Sequence, residues 1–257
     1  MTAADLPIVL VHGGAHGAWC WEPLRPQLAE PVLAVDLPPR AIRGAPLAAS
    51  PPETTTIGLA DFAASVLGDV DAEGYGRFVL VGHSMGGLTV SEVARLVPKR
   101  VAHVVFVSCI VPPEGGSVID TLPIDLQAMT RAAVTAARAG GTPMGGLDEA
   151  TIRRLFCNDM DEAQTRFVLD HCGAEAPSVF GDRVTRQGTP ATLPSTYVRL
   201  GRDQALSPQD QDAQIAALRR SPGGPVEVID LDTGHDVMIS APGLLGPVLE
   251  HARHAVG

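Results

Sequence analysis

The stretch Phe78-Val79-Leu80-Val81-Gly82-His83-Ser84-Met85-Gly86-Gly87 decides the fold class. Residues 78–81 form a short apolar run rich in β-branched side chains, which reads as a buried strand. Val90, Val93, Ala94 and Val97 then recur at helical spacing, and Pro98 should stop that helix. Between strand and helix lies G-x-S-x-G, a pattern that gains its meaning from this context. A serine at the tip of so tight a turn crowds its surroundings, and glycines two residues to either side let neighbouring backbone come close. The helix N-terminus and the Met85 N–H would then face an oxygen on which negative charge develops.

Outward from this point, strand and helix patterns alternate as they do in parallel βαβ units. Upstream lie strands at Ile8–Val11 and Val32–Val35, a Pro-rich surface loop over 38–52, and a helix carrying Leu59, Phe62, Ala63, Val66 and Val70 on its apolar stripe. Downstream, Val101–Val107 is a fourth strand. The rhythm resumes at 196–200 and Val226–Leu231, with a helix around 211–218 between them and another over 244–255. From Pro112 to about Pro194 no buried strand is legible. Amphipathic helices are expected there at 124–138, 148–156 and 162–172, the last capped by Asp161, with a Gly- and Pro-rich segment at 140–146. The expected architecture is α/β: a roughly six-stranded, mostly parallel sheet flanked by helices. Its core takes 1–111 and 191–257, and a helical cap, 112–190, is inserted after the fourth strand.

The 257 residues are 45% hydrophobic and only 4% aromatic, so Ala, Val and Leu must fill the core. A formal net charge of −10 argues against nucleic acid or anionic membrane as a partner, since both would repel an acidic surface. No apolar run approaches the roughly 18 residues a membrane helix requires. Cys20, Cys109, Cys157 and Cys172 are widely spaced, with neither a zinc pattern nor a need for disulfides at this length. They read as reduced thiols, and with no basic leader at the start of the chain the expected location is cytoplasmic.

Serine is a weak nucleophile until a base takes its proton. His235, in Thr-Gly-His-Asp after the Val226–Leu231 strand, is late in the chain and at the right sheet edge. His171, His251 and His254 fall in expected helices and His103 in a strand, while His83 is turned elsewhere by its position beside Ser84. Asp203 follows the 196–200 strand and lies between serine and histidine in sequence, so it is the expected acid. Asp230 and Asp232 compete from the strand and turn that present His235. His12-Gly13-Gly14 ends the first strand at the same edge, which nominates the Gly14 and Met85 N–H groups as oxyanion donors. His12 should brace that loop. Trp19 and Trp21 suit either the pocket mouth or an anchor for the loop.

Val-His-Gly-Gly-Ala-His-Gly-Ala-Trp-Cys-Trp (11–21), Gly-His-Ser-Met-Gly-Gly (82–87) and Gly-His-Asp (234–236) together resemble the α/β-hydrolase superfamily. The first block is especially similar to the branch of plant methylesterases, hydroxynitrile lyases and related bacterial hydrolases. The resemblance implies a helical cap over the site, no cofactor or metal, and acyl-enzyme chemistry on esters. Two departures bear on the chemistry. Hydroxynitrile lyases of this branch have lysine after the catalytic histidine and threonine in the first oxyanion loop. Here those positions are Asp236 and Gly13, and a carboxylate at the first would oppose an anion, which disfavours cyanohydrin cleavage. Plant methylesterases tend to have methionine where Asp236 stands.

The expected function is therefore a serine hydrolase acting on a small-molecule carboxylic ester, with Ser84, His235 and Asp203 as its triad. Gly13, Trp19, Met129, Phe156 and Phe180 are the candidate pocket residues. A non-hydrolytic enzyme on the same scaffold (a lyase, acyltransferase or biosynthetic cyclase) and a non-catalytic ligand receptor are the alternatives. Oligomeric state is not legible.

Overall fold

A computed structural model describes residues 6–38, 56–144 and 146–255. The short apolar runs all become strands: β1 (Ile8–Val11), β2 (Val32–Val35), β3 (Phe78–His83), β4 (Val101–Val107), β5 (Ser195–Leu200) and β6 (Val226–Leu231). They form one sheet in the order β2-β1-β3-β4-β5-β6, and all five pairings among the described residues are parallel. The sheet is thus more uniform than the mostly parallel one expected. Parallel strands covered on both faces need no polar side. Every residue of β3 and β4 is accordingly buried, while the edge strand β6 has only half-buried and exposed positions.

Alternation along the strands divides the core in two. Val9, Val11, Phe78 and Leu80 point to one face, where they meet Phe62, Val66 and Val70 of α1 (Leu59–Ala72), and Val90 and Val93 of α2 (Gly86–Leu96). Ile8, Leu10, Val79 and Val81 point to the other, against Trp21, Leu24, Leu245 and Leu249. Full burial of one such side chain stabilises by about 1.5–3 kcal/mol.

Among the described residues three α-helices lie between β4 and β5, as the sequence led us to expect. α3 (Ile124–Gly140) is the longest and ends at Gly141, whose φ of 63° is the left-handed conformation favoured at helix ends. α4 (Glu149–Leu155) and α5 (Glu162–His171) start at Asp148 and Asp161, whose carboxylates accept from the N–H groups of Thr151 and Gln164. Ile152, Phe156 and Val168 join the second core cluster, so this insertion packs onto the same face of the sheet as Trp21. An antiparallel bridge between Met144 and Glu175 was not foreseen.

After β5 come α6 (Pro208–Arg220), α7 (Val237–Ser240) and α8 (Pro242–His254). α6 begins earlier than expected because Ser207 caps it, accepting from the Asp210 N–H with Pro208 in the first turn. The single-turn α7, directly after His235, is too short to leave a periodic signal. Most of the expected 38–52 loop, and Gly145 of the 140–146 segment, lie outside the described residues. No described helix is long and apolar enough to cross a membrane.

Candidate functional site

β3 ends at His83 and α2 begins at Gly86, so Ser84 and Met85 make the whole turn. Ser84 has a φ of 52°, a left-handed conformation that costs a serine roughly 1–3 kcal/mol and persists only where the surroundings enforce it. The enforcement is visible. The Ser84 N–H donates to the Val107 carbonyl at 3.1 Å, and its own carbonyl accepts from Gly87 at 3.1 Å and Ile110 at 3.0 Å. A Cβ on Gly86 would lie 2.8 Å from the Val11 carbonyl oxygen and 2.7 Å from that of His12. The glycine therefore lets the turn press against the end of β1. The loop after β1 is equally close. A Cβ on Gly13 would fall 2.7 Å from Ser84 Cβ, and one on Gly14 2.7 Å from Met85 Sδ. Gly13 thus lies against Ser84, and Gly14 against the Met85 side chain.

His235 follows β6 at the same edge of the sheet and is buried. Its Nδ1–H donates to Asp203 Oδ2 at 2.6 Å. Asp203 is saturated: Oδ2 also accepts from Ser108 Oγ at 2.6 Å, and Oδ1 from the N–H groups of Ala205 and Leu206 at 2.7 and 2.8 Å. Burial alone would raise the Asp203 carboxyl. His235, Ser108 and the Leu206 N–H outweigh it and hold the group below the ordinary carboxylate range. Burial likewise works against a charged His235, but Asp203 wins and the imidazole is raised above its ordinary value. The pair favours the ionised state of both partners, as a base that must carry a proton in mid-reaction requires.

The rival residues are placed elsewhere. Asp230 and Asp232 are exposed and face Arg199 and Arg202. His103 bonds Thr196 Oγ1, and His251 and His254 face Glu227 and Glu250 at the surface. His83 donates from Nε2 to the His235 carbonyl at 3.1 Å, and the two ring centroids are 4.6 Å apart. Burial, then the neighbouring His235, push its pKa down to about 3, so it stays neutral. His12 braces the β1 loop: it donates to the Gly13 carbonyl and accepts from the Leu37 N–H.

Among the pocket candidates, Phe156 stacks on the His235 ring at 5.5 Å and meets His16 edge-on at 5.1 Å. Trp19 stacks on His16 at 5.2 Å and touches Phe167 and His171 of α5, which makes it an anchor for the loop. Phe180 packs with Met85, Leu88, Val118 and Val184. Met129, on α3, is 65% exposed. Helical spacing alone could not say which face of α3 met the core.

Several residues at the site carried no sequence signal. Ser108, just past β4 with a φ of 41°, was recognisable only by its place at the sheet edge. Asp159 accepts from the Gly234 N–H at 2.6 Å, gripping the loop that presents His235. His16 and Asp236 form a buried pair at 2.9 Å. Asp236 was expected to set its charge against a bound anion. In the structure its side chain is buried, with Oδ2 paired to His16 Nε2. His83, His235 and Asp236 bring ligand atoms within 4.8 Å of one another. Each already holds one bond, His83 Nε2 to the His235 carbonyl, His235 Nδ1 to Asp203 and Asp236 Oδ2 to His16, while His83 Nδ1 and Asp236 Oδ1 are buried without a hydrogen-bond partner.

The pattern of the alpha/beta hydrolase family matches residues 8–245. The chain belongs to that family. Over 112 residues it is 38% identical to methylesterase 7 of Arabidopsis thaliana, a match spanning 40% of either chain. It is 32% identical over 115 residues to a carbendazim hydrolyzing esterase from Nocardioides sp., covering 45% of this chain and 46% of the relative. The aligned stretch thus spans less than half the length of these relatives. An extracellular α/β-hydrolase from a Paenibacillus species shares the fold, with a TM-score of 0.79 and 21% identity over 96% of this chain and 99% of that one.

Proposed function

We propose that this α/β-hydrolase cleaves a small-molecule carboxylic ester through an acyl-enzyme on Ser84. The observation that carries the reading is the buried 2.6 Å contact between His235 and Asp203, at the same sheet edge as the strained serine turn. Ser84 Oγ attacks the ester carbonyl while His235 Nε2 takes its proton, and Asp203 fixes the tautomer and stabilises the imidazolium. The Gly14 and Met85 N–H groups, with the α2 N-terminus behind them, bind the oxyanion. His235 then protonates the leaving alcohol, and water repeats the sequence on the acyl-enzyme. No cofactor or metal takes part. The 112–190 insertion acts as a cap that selects the substrate, with Phe156 over the His235 ring. The esterase names of the relatives support the choice of substrate class.

The test is hydrolysis of a panel of p-nitrophenyl and methyl esters by wild type and Ser84→Ala. Wild-type turnover should fall by roughly 10⁴-fold or more in the variant. Full turnover by Ser84→Ala would overturn the scheme. Transfer of the acyl group to an added alcohol in place of hydrolysis would identify an acyltransferase.

A further inference from the structure

Ala15 has a φ of 63°, a conformation an alanine keeps only under restraint. The restraint acts on the peptide that joins Gly14 to Ala15, and it grips both polar ends. The Gly14 carbonyl accepts from His16 Nδ1 at 2.7 Å, and the Ala15 N–H donates to Glu175 Oε2 at 3.3 Å. The next carbonyl, that of Ala15, accepts from the Gly173 N–H at 2.9 Å. Gly173 and Glu175 belong to the insertion between β4 and β5, where the bridge to Met144 fixes the Glu175 backbone. Glu175 Oε1 accepts from the Ala176 N–H at 2.9 Å, so the buried carboxylate is held in place at both oxygens.

His16 is held just as firmly. Its Nε2 meets Asp236 Oδ2 at 2.9 Å, with both side chains almost fully buried. Both ring nitrogens therefore face oxygen atoms, the Gly14 carbonyl on one side and the Asp236 carboxylate on the other. Burial opposes the Asp236 carboxylate, but His16 and then His83 more than offset it, and its pKa lies below the ordinary range. The other groups around the pair are His235, His83 and Cys157.

We propose that His16, Asp236 and Glu175 are positioning residues that clamp the Gly14–Ala15 peptide from the core side and the insertion side. The clamp fixes the plane one residue back, whose N–H is the Gly14 oxyanion donor. The donor is correctly aimed only while the insertion is seated on the core, so cap seating and catalytic competence are one event. The proposal rests on the reading of Ser84 as nucleophile and Gly14 as oxyanion donor. It makes Asp236, directly after the catalytic histidine, a partner of the oxyanion loop and not a substrate contact.

A donor that matters in the transition state and little in the ground state changes kcat and leaves KM alone. The experiment compares full-length wild type, Glu175→Ala, Glu175→Gln, Asp236→Asn and Ser84→Ala. It measures kcat and KM on p-nitrophenyl acetate, the rate of Ser84 labelling by a fluorophosphonate, and thermal melting. Glu175→Ala should lose about 10- to 100-fold in kcat and a similar factor in labelling rate, with KM near the wild-type value. Glu175→Gln keeps an acceptor for the Ala15 N–H and should recover most of that loss. Asp236→Asn keeps the size but not the charge and should lose about tenfold in kcat.

The clamp is overturned if Glu175→Ala folds and keeps kcat within about threefold of wild type, or if Glu175→Gln is as slow as Glu175→Ala. Should Glu175→Ala fail to fold, Glu175→Gln and Asp236→Asn decide. The clamp then predicts a kcat loss in Asp236→Asn with little in Glu175→Gln, and wild-type kcat in both overturns it. A Ser84→Ala variant that still turns over ester overturns the esterase reading and the clamp with it. An inactive Ser84→Ala beside unimpaired Glu175 and Asp236 variants overturns the clamp alone.

Discussion

β3 and α3 show how differently the two parts of this molecule are held. Every residue of β3 is buried, whereas α3, the longest helix among the described residues, buries only Val134 and Ala137. The sheet is fixed by side chains packed on both faces. The insertion between β4 and β5 adds some apolar packing, through Ile152, Phe156 and Val168. Much of its attachment is polar and reaches the loops at the carboxyl edge: Glu175 to Ala15, Asp159 to Gly234, Asn158 to the Arg202 carbonyl, and Gln164 to the Ile239 carbonyl. The difference teaches that the two parts should fail differently. Damage to the sheet should appear as lost stability, and damage to these polar links as lost chemistry in a protein that still folds.

The largest effect should come from the sheet. Leu80 is fully buried in the central strand among the residues of α1 and α2. Leu80→Ala removes its contacts and leaves a cavity, and should cost about 2–5 kcal/mol. Urea unfolding measures this directly. Wild-type stability in that variant would mean the two-sided core is far more accommodating than its burial implies.

This division also explains what the sequence revealed. The limits of β1, β2, β4 and β6 were readable because a strand covered by helices is an uninterrupted apolar run bounded by polar or turn residues. The strand and helix on either side of Ser84 were readable because they stand beside it in the chain. The contact of Asp203 with His235 was expected from its place between serine and histidine in sequence. The clamp was not readable at all. Glu175 is 160 residues from Ala15, and Asp236 is 220 from His16, and a pair formed only by folding leaves no local pattern. The exposure of Met129 was not readable for a related reason. Periodicity marks an apolar stripe on α3, but not whether anything lies against it.

Asp159 offers the next largest effect. Its Oδ2 accepts from the Gly234 N–H at 2.6 Å and from Ser240 Oγ at 3.2 Å, with Arg202 3.6 Å away. Asp159→Ala leaves the Gly234 N–H unsatisfied next to His235 and should cost about 1–3 kcal/mol. On the comparison above, kcat should fall by more than the stability loss explains, because the histidine loop is released. Loss of stability with an unchanged kcat would make this link ordinary packing.

The pH profile probes the site with no substitution. In the proposed mechanism His235 acts as a base only when neutral, and Asp203 raises its pKa above the ordinary 6.5. The acid limb of kcat/KM should therefore have its midpoint above that value, with activity falling as pH drops. His83 cannot account for the limb, since its pKa lies near 3. Stability follows the opposite sense. A raised His235 contributes fully below its unfolded pKa, and the contribution is lost as pH rises through the folded value. A lowered Asp203 contributes above its ordinary 3.8 and is lost as pH falls below it. The pair is thus most stabilising in the acidic range between these limits, where the enzyme is least active. An acid limb at or below the ordinary histidine value would contradict the 2.6 Å pairing.

The smallest effect is the sharpest test of the comparison. Met129 is 65% exposed, and an exposed side chain outside any cap or network usually changes stability by less than about 0.5 kcal/mol when replaced. Met129→Gln should leave both unfolding and kcat/KM at wild-type values across the ester panel. Phe156→Leu, by contrast, removes the ring stacked on His235 and should alter kcat/KM while leaving an apolar side chain in the same cluster. If Met129→Gln changed substrate preference as much as Phe156→Leu, the outer side of α3 would have to meet the substrate. The insertion would then hold specificity on its exposed side as well as against the core, and the clean division between a packed sheet and a polar-linked insertion would fail.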